Sequence, residues 1–395
     1  MISFDNTEVA FSGKSPGDLN RSYWLFKLIT NSAFVNMGKV LTTFAIQLHL
    51  PIKGLIKATI FKQFCGGENM EECNKTIDSL AKYNIGTILD YSIEGKETEA
   101  DFDACAGNII GTIDKAKNNK NIPFSVFKVT GLAHLGLLEK VSAGETLSVS
   151  EKAEYERAKK RVDNICRSAY NAHVPVFIDA EESWIQNAID DLANEMMLQY
   201  NQEKAIVYNT FQLYRKDRLK YLEHSCQVAC DKNYFLGAKL VRGAYMEKER
   251  KRALEKNYPS PIHSDKEACD KDYDAALKFC MEHIDKIAFC SGTHNEKSSL
   301  YLVRLMQEKN VDLSHPHIYF SQLLGMSDHI SYNLARAGYN VAKYVPYGPV
   351  RETLPYLIRR AQENTSVKGQ TGRELSLIVK EKQRRASISR LPAKN

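Results

Sequence analysis

From about residue 84 onwards, short β-rich runs alternate with longer, charged helical stretches, and this alternation restricts the fold more than any other feature. It is typical of βα units that build a parallel sheet. The runs are Ile85–Tyr91, Pro123–Thr130, Val174–Ala180, Ala205–Gln212, Ala238–Ala244, Lys286–Gly292, His317–Leu323 and Val341–Pro346. Eight such units are what a TIM-like (β/α)8 barrel requires, so we predict an α/β fold with a catalytic barrel over residues 84–365. A doubly wound sheet is the alternative, but neither GxGxxG nor GxxxxGK occurs.

Two further segments flank the predicted barrel. In residues 1–83, Leu19, Tyr23 and Phe26 recur at helical spacing, which predicts an N-terminal helical segment. Residues 366–395 hold eight basic and two acidic residues, and their net charge of +6 equals that of the whole chain. The remaining body is neutral, which argues against nucleic-acid binding. The basic tail is interpreted either as a solvated, frayed terminus or as a contact for anionic lipid.

The chain shows no segment expected to cross a membrane or to direct export. The most apolar stretch, residues 40–61, is interrupted by His49, Pro51, Lys53 and Lys57, and so falls short of the ~18 apolar residues that a spanning helix needs. No signal-peptide core occurs near the N-terminus. Nine cysteines without paired spacing predict reduced thiols and no metal site. A cytoplasmic protein is expected.

Polar residues stand at or near the ends of the apolar runs. In a (β/α)8 barrel, chemistry gathers at the carboxyl ends of the strands, so these side chains are expected around one cavity. They are Asp90, Lys128, Asp179, Gln212, Arg242, His294, Gln322 and Tyr344. The sequence therefore predicts a functional site at this end of the barrel.

Lys128 is the first of these side chains with a chemical implication. Phe124, Val126 and Lys128 share one face by period-two alternation, so the lysine would project into the barrel mouth from an apolar wall. A buried lysine either loses its proton or finds an anion. Three interpretations follow: a Schiff-base lysine of a lyase, a cation that holds a substrate carboxylate, or a structural ion pair with Asp179 on the next strand.

Three acids stand at the end of the third run and directly after it. Asp179 comes directly after the buried residues 176–178, so it is the acid expected to face the cavity. Glu181 and Glu182 are interpreted as a solvated helix N-terminus, where negative charge complements the helix dipole.

The fifth and sixth runs also end in candidate binding residues. Lys239, Val241, Gly243 and Tyr245 alternate toward the mouth, and the glycine would allow a flat ligand to approach closely. The triplet Thr293–Asn295 supplies several hydrogen-bonding groups after the sixth run, although such a triplet is also common in turns.

The last helical stretch carries two adjacent arginines. A helix is predicted over Arg351–Asn364, with Pro355 in its first turn, where a missing N–H is harmless. Arg359 and Arg360 lie ~100° apart around the helix axis, so both reach one site only if the helix crosses over it. Two neighbouring guanidinium groups repel unless an anion is present, and a carboxylate is their natural partner.

Taken together, these segments resemble the flavin-dependent proline dehydrogenase family, and their motifs are most similar to those of the mitochondrial-type members. Four motifs occur in the family's order: Lys239–Tyr245, Thr293–Asn295, Gln322–Met326 and Tyr356–Asn364. Lys128, Ile178–Glu181 and Gln212 match at further strand ends. The bifunctional bacterial members have Arg and then Lys where this chain has Lys239 and Arg242. The resemblance implies a distorted barrel whose eighth helix lies over the mouth, with FAD bound across the strand ends.

The resemblance also implies roles for individual residues. Lys128, Arg359 and Arg360 would bind the proline carboxylate, and Asp179 would orient Lys128. The pyrrolidine ring would be enclosed by Tyr245, Leu323 and Tyr344. The residues expected to contact FAD are Gln212, Lys239, Val241, Arg242, Gly243, Thr293, His294, Asn295 and Glu363.

The implied activity is the oxidation of L-proline to Δ1-pyrroline-5-carboxylate by hydride transfer to flavin N5, the first step of proline catabolism to glutamate. Electrons would pass to a membrane quinone, with peripheral contact to the inner membrane. A monofunctional enzyme is expected, because the residues after 370 are too few for an aldehyde dehydrogenase domain. A Schiff-base lyase using Lys128 and a non-catalytic membrane or nucleic-acid binder are the alternatives.

Overall fold

A closed barrel of eight parallel strands forms the centre of the molecule, as predicted. The computed structural model describes residues 2–29, 53–91, 97–366 and 370–389. Each strand pairs with the next, and the last pairs with the first along its whole length, from Ile85 opposite Val341 to Tyr91 opposite Tyr347. The strands are β1 (Ile85–Tyr91), β2 (Phe124–Lys128), β3 (Val176–Asp179), β4 (Val207–Gln212), β5 (Leu236–Val241), β6 (Ile287–Gly292), β7 (Ile318–Leu323) and β8 (Val341–Tyr347).

Helices surround the barrel, and further helices form the described parts of the N-terminal and C-terminal segments. They are α1 (Thr7–Ala10), α2 (Pro16–Ile29), α3 (Lys53–Ile56), α4 (Lys62–Phe64), α5 (Asn74–Ala81), α6 (Glu99–Ala116), α7 (Leu135–Ser142), α8 (Val149–Ala172), α9 (Ser183–Tyr200), α10 (Arg218–Asp231), α11 (Met246–Lys256), α12 (Lys266–Glu282), α13 (Glu296–Glu308), α14 (Asp328–Arg336), α15 (Val350–Ser366) and α16 (Gln370–Ser389). A π-helical turn, Lys57–Phe61, joins α3 to α4, and a 3₁₀ turn, Val129–Gly131, follows β2.

Local sequence accounts for several helix starts. Ser148 caps α8 in a capping box with Glu151, and the side chain of Asn295 accepts hydrogen bonds from the second and third residues of α13. Thr98 and Asp265 cap α6 and α12 in the same manner. Each cap satisfies a backbone N–H that the helix itself leaves without a partner.

Aromatic rings fill the barrel near the amino ends of its strands. Phe124 and Phe177 stack with centroids 4.4 Å apart, and Tyr208 and Tyr319 meet Phe124 edge-on. This packed plug closes one end of the barrel. The open space is therefore left at the carboxyl ends, where the polar side chains stand.

The basic tail is not a solvated, frayed terminus over the residues that the structure describes. Helix α16 packs on α2, where Leu377 and Ile378 share an apolar cluster with Leu19 and Phe26. Helix α16 is amphipathic, and its apolar face is buried against α2. The many basic residues of the segment made this apolar face hard to recognise in the sequence.

The cations of α16 are largely paired with acids. Arg373 lies 2.8 Å from Glu296 and 2.7 Å from Asp5, and Arg385 lies 2.7 Å from Glu381. In the described part of the chain no helix is long and apolar enough to cross a membrane. Most of the apolar stretch at residues 40–61 lies outside that part.

Helix α15 begins one residue earlier than predicted and contains Pro355 in its second turn, not its first. The proline therefore removes a hydrogen bond from inside the helix. Packing compensates, because Val350, Leu354 and Leu357 are buried against Phe61 and Phe64 of the N-terminal helical segment. This contact holds α15 beside the open end of the barrel.

Candidate active site

One cavity of about 650 Å³ opens at the carboxyl ends of the strands. Most of the residues singled out in the sequence line it: Lys128, Asp179, Gln212, Lys239, Val241, Arg242, Gly243, Tyr245, Thr293, His294, Leu323, Tyr344, Arg359 and Arg360. Asn295 stands just outside and uses its side chain to cap α13, while the side chain of Glu363 is not among those described. The topology thus gathers groups that are far apart in the chain, such as Lys128 and Arg360.

Asp179 forms the electrostatic centre of the cavity. Its Oδ1 lies 2.5 Å from Lys239 Nζ, and its Oδ2 lies 3.2 Å from Lys128 Nζ and accepts a 2.7 Å hydrogen bond from Tyr344. Burial opposes a charge here, but the two ammonium groups outweigh it and lower the pKa of Asp179 to about 2. The carboxylate is therefore ionised and holds both lysines in place.

Lys128 is protonated in this arrangement. Burial by itself would lower its pKa, but the carboxylates of Asp179 and Asp90 raise the pKa of Lys128 well above its usual range. A Schiff-base lysine needs a neutral amine, so this environment disfavours the lyase interpretation. The cation interpretation and the ion pair with Asp179 are both compatible with the geometry, because one ammonium group donates several hydrogen bonds.

Glu181 and Glu182 are buried, contrary to the solvated helix terminus expected for them. Glu181 accepts hydrogen bonds from the N–H and the hydroxyl of Thr130, at 3.0 and 2.5 Å, and Glu182 lies 2.7 Å from Lys248. Burial raises the pKa of Glu181 to about 7, although Thr130 and Lys128 partly oppose this. Both acids line the cavity. Period-two continuation from Asp179 would have placed Glu181 on the same side.

Gly243 has a structural role in addition to the predicted approach of a flat ligand, which stays a prediction. The strand alternation ends at Val241, and Gly243 has a φ of +138°, in a region that other residues rarely adopt. A Cβ on this residue would lie 2.4 Å from Cδ1 of Tyr214. The chain's own Tyr214 ring thus approaches Gly243 closely, and Gly243 also lines the cavity.

Arg242 organises the side of the cavity formed by β5 and β6. Its guanidinium lies 2.6 Å from Asp270 and donates to the hydroxyls of Thr293 and Ser298 at 2.6 and 2.9 Å. Nearby His294 is neutral, because burial, with Lys343 and Arg360 adding to the effect, lowers the pKa of its imidazole to about 3. This wall therefore offers hydroxyl, imidazole and guanidinium groups.

Helix α15 crosses the cavity so that both adjacent arginines line it, as the sequence required for a shared site. Arg360 is buried and lies over the ring of Tyr356, with its guanidinium carbon 5.1 Å from the centroid. Tyr356 also lines the cavity, whereas the sequence indicates this residue only as part of a motif. The arrangement brings Lys128, Arg359 and Arg360 to one cavity beside the rings of Tyr245 and Tyr344.

Comparison with known proteins identifies a family and several relatives. A family model described as proline dehydrogenase matches residues 73–373. The chain is 34% identical to "Proline dehydrogenase 1, mitochondrial" of Dictyostelium discoideum over 96% of this chain and 74% of that protein. It is 33% identical to "Carbapenem antibiotics biosynthesis protein CarD" of Pectobacterium carotovorum, over 84% of this chain and 86% of that one.

Among solved structures, proline utilization A (PutA) from Bdellovibrio bacteriovorus is similar, with a TM-score of 0.72 and 19% identity. The match covers 91% of this chain, and the chain spans only 38% of that protein's length. At this identity the likeness concerns the fold, a barrel with surrounding helices. The family model and the relatives together establish that this chain belongs to the proline dehydrogenase family of enzymes.

Proposed function

We propose that this enzyme binds FAD across the carboxyl ends of its strands and oxidises L-proline to Δ1-pyrroline-5-carboxylate, the first step of proline catabolism to glutamate. The observation that carries the proposal is the meeting of Lys128, Arg359 and Arg360 in one cavity beside apolar Leu323 and the ring of Tyr344. Three cations next to an apolar wall suit a small ring that bears a carboxylate.

The residues of the cavity fit a flavin cofactor. Val126 and Val241 supply apolar surface, and Lys239, Arg242 and Thr293 supply donors and positive charge to the same cavity. A flat, apolar ring system joined to an anionic pyrophosphate requires both kinds of surface. When bound, FAD supplies the acceptor for the hydride that proline C5 loses.

The chain's own residues bind and orient the substrate. We expect Arg359, Arg360 and Lys128 to hold the carboxylate, so that binding energy far from the reacting carbon places C5 correctly. Asp179 keeps Lys128 protonated and anchors the Tyr344 hydroxyl. Tyr245, Tyr344 and Leu323 would exclude water from the ring, which strengthens the ion pairs to the carboxylate.

Reoxidation requires an electron acceptor, and we propose a membrane quinone reached through peripheral contact with the inner membrane. Helix α2 offers a suitable surface, since Trp24 and Leu28 are 53% and 51% exposed one turn apart. Lys27 Nζ lies 5.0 Å from the Trp24 ring centroid, and Lys382 Nζ lies 4.2 Å from that of Tyr23. Aromatic and basic side chains of this kind favour an anionic bilayer surface.

Anaerobic titration tests the proposed reaction. The purified protein, reconstituted with FAD, should lose its visible flavin absorbance on addition of L-proline, and Δ1-pyrroline-5-carboxylate should form in equal amount. D-Proline should leave the spectrum unchanged. Failure to bind FAD, or a flavin that L-proline does not reduce, would contradict the proposal.

A further inference from the structure

Ser327 occupies an unusual position between the cavity and the C-terminal helix. It precedes α14 with φ +51° and ψ +41°, a left-handed conformation that residues other than glycine and asparagine rarely adopt, and it is buried. Its N–H donates to the carboxylate of Glu374, and its hydroxyl oxygen lies 2.9 Å from Nδ1 of His294. One strained residue thus connects a cavity imidazole to α16.

Several buried contacts hold the segment around Ser327. Lys343 is fully buried, and its Nζ lies 2.9 Å from Asp328 and donates to the carbonyl of Met326 at 2.5 Å. From the N-terminal helical segment, the Gln63 amide donates to the carbonyl of Gly325 at 2.8 Å. Contacts from three different parts of the chain therefore define where the Ser327 hydroxyl lies.

The partners of the hydroxyl decide which imidazole nitrogen carries the proton. Among the described residues, His294 Nδ1 is the one acceptor within hydrogen-bonding distance of the Ser327 hydroxyl. A buried hydroxyl whose proton has no acceptor is costly, so the hydroxyl donates and Nδ1 accepts. In a neutral ring the proton then resides on Nε2.

We infer that Ser327 is a positioning residue that fixes the ring orientation and the Nε2–H tautomer of His294, and that Glu374 of α16 holds Ser327 in place. The inference rests on the proposed function in one respect: the oriented imidazole, which lines the cavity, would contact bound FAD. The C-terminal helix, outside the barrel, thereby becomes part of the support of the cofactor site.

Ser327→Gly removes the hydroxyl without disturbing the backbone, because glycine adopts this φ readily. Asn310→Gly is the matched control, since Asn310 also has a φ of +51° but is exposed and does not line the cavity. Glu374→Ala removes the second link, and Glu374→Gln retains an oxygen that can accept from the Ser327 N–H.

The first measurement is nitrogen NMR of histidine-labelled, ligand-free protein, with the His294 signal assigned by its loss in His294→Gln. The parent and Asn310→Gly should show Nε2 protonated. Ser327→Gly and Glu374→Ala should show averaging between the two tautomers, and Glu374→Gln should resemble the parent. An Nδ1–H tautomer in the parent, or an unchanged signal in Ser327→Gly, would overturn the inference.

The second measurement is FAD affinity by fluorescence quenching. Loss of the imidazole's fixed orientation should weaken FAD binding about 3- to 10-fold in Ser327→Gly, and Asn310→Gly should bind like the parent. Equal weakening in Asn310→Gly would assign the effect to the backbone and refute the role of the hydroxyl. If the parent binds no FAD, the proposed function is wrong. The NMR measurement would still show which tautomer His294 adopts.

Discussion

Lys239 Nζ lies 2.5 Å from Asp179 Oδ1, and this ion pair is buried beneath the mouth of the barrel. The other carboxylate oxygen lies 3.2 Å from Nζ of Lys128, which is the register partner of Asp179 on the neighbouring strand β2. Two buried lysines so close together would repel without the acid between them. Asp179 is therefore the group on which the charge balance of the cavity depends.

We expect Asp179→Asn to destabilise the protein by about 3–5 kcal/mol, because it leaves two buried ammonium groups without their carboxylate. Proline oxidation should fall with it. Thermal and urea unfolding measure the first effect. Glu255→Gln is the control, since Glu255 forms an exposed pair with Lys251 at 3.6 Å and should change stability by less than about 0.5 kcal/mol. Near-parent stability of Asp179→Asn would show that the lysines are not held by its charge.

Arg359→Met or Arg360→Met should raise KM for proline about 10- to 150-fold with FAD still bound, since loss of one charge-assisted partner costs ~1.5–3 kcal/mol. Lys128→Met should act in the same direction. Arg351→Met is the matched control, because Arg351 is exposed on the same helix and does not line the cavity. Proline kinetics within twofold of the parent in any of the three cavity variants would exclude that residue from carboxylate binding.

Tyr344 should govern substrate choice. We expect its ring to pack against the face of proline from which a 4-hydroxyl would project, so the added group would clash or be buried without a partner at a cost of ~1–3 kcal/mol. Proline should then be oxidised about 10- to 100-fold more efficiently than trans-4-hydroxyproline.

Two substitutions separate the ring of Tyr344 from its hydroxyl. Tyr344→Ser should reduce the preference for proline over trans-4-hydroxyproline, mainly by lowering kcat/KM for proline. Tyr344→Phe keeps the ring, loses the 2.7 Å bond to Asp179 and should preserve the preference. Comparable kcat/KM for the two amino acids in the parent would place Tyr344 outside the substrate pocket.

Glu181 should impose a pH dependence on stability. Its pKa is about 7 in the folded protein against an ordinary 4.5, so the folded state binds more protons between these values. Its contribution to stability therefore declines as the pH rises from below 4.5 through 7. The glutamine of Glu181→Gln does not titrate. The melting temperature of this variant relative to that of the parent should therefore increase as the pH rises from 4.5 to 7. Glu223 is exposed, so the melting temperature of the control Glu223→Gln should vary with pH as that of the parent does. A difference in melting temperature between Glu181→Gln and the parent that does not change with pH would contradict the raised pKa of Glu181.

Trp24→Ala combined with Leu28→Ala should reduce sedimentation with anionic vesicles several-fold and leave activity with a soluble dye intact, because both side chains are exposed on α2. Leu254→Ala is the control, since Leu254 is 83% exposed on a different helix, α11. Truncation of the basic tail is a poor test because it would remove Leu377 and Ile378 from a buried cluster. Unchanged vesicle binding by the double variant would exclude this surface.

Local pattern was sufficient for much of the fold. Strand number and order follow from eight apolar runs between helical stretches, and period-two alternation correctly placed Lys128 and Lys239 at the cavity. These features depend on neighbouring residues, whose spacing decides which face a side chain occupies. The adjacent arginines of α15 likewise implied a helix lying across the mouth.

Other features depend on partners that are distant in the chain and become visible only in the folded molecule. The apolar runs and their polar ends predicted the barrel and most residues of its cavity. The burial of Glu181 beside Thr130, the docking of α16 on α2 and the Tyr214 ring behind Gly243 arise instead from contacts between separate segments. The pairing of Ser327 with His294 is of the same kind. Spacing carries no information about such contacts, because burial and charge compensation are set only when the closed barrel brings these segments together.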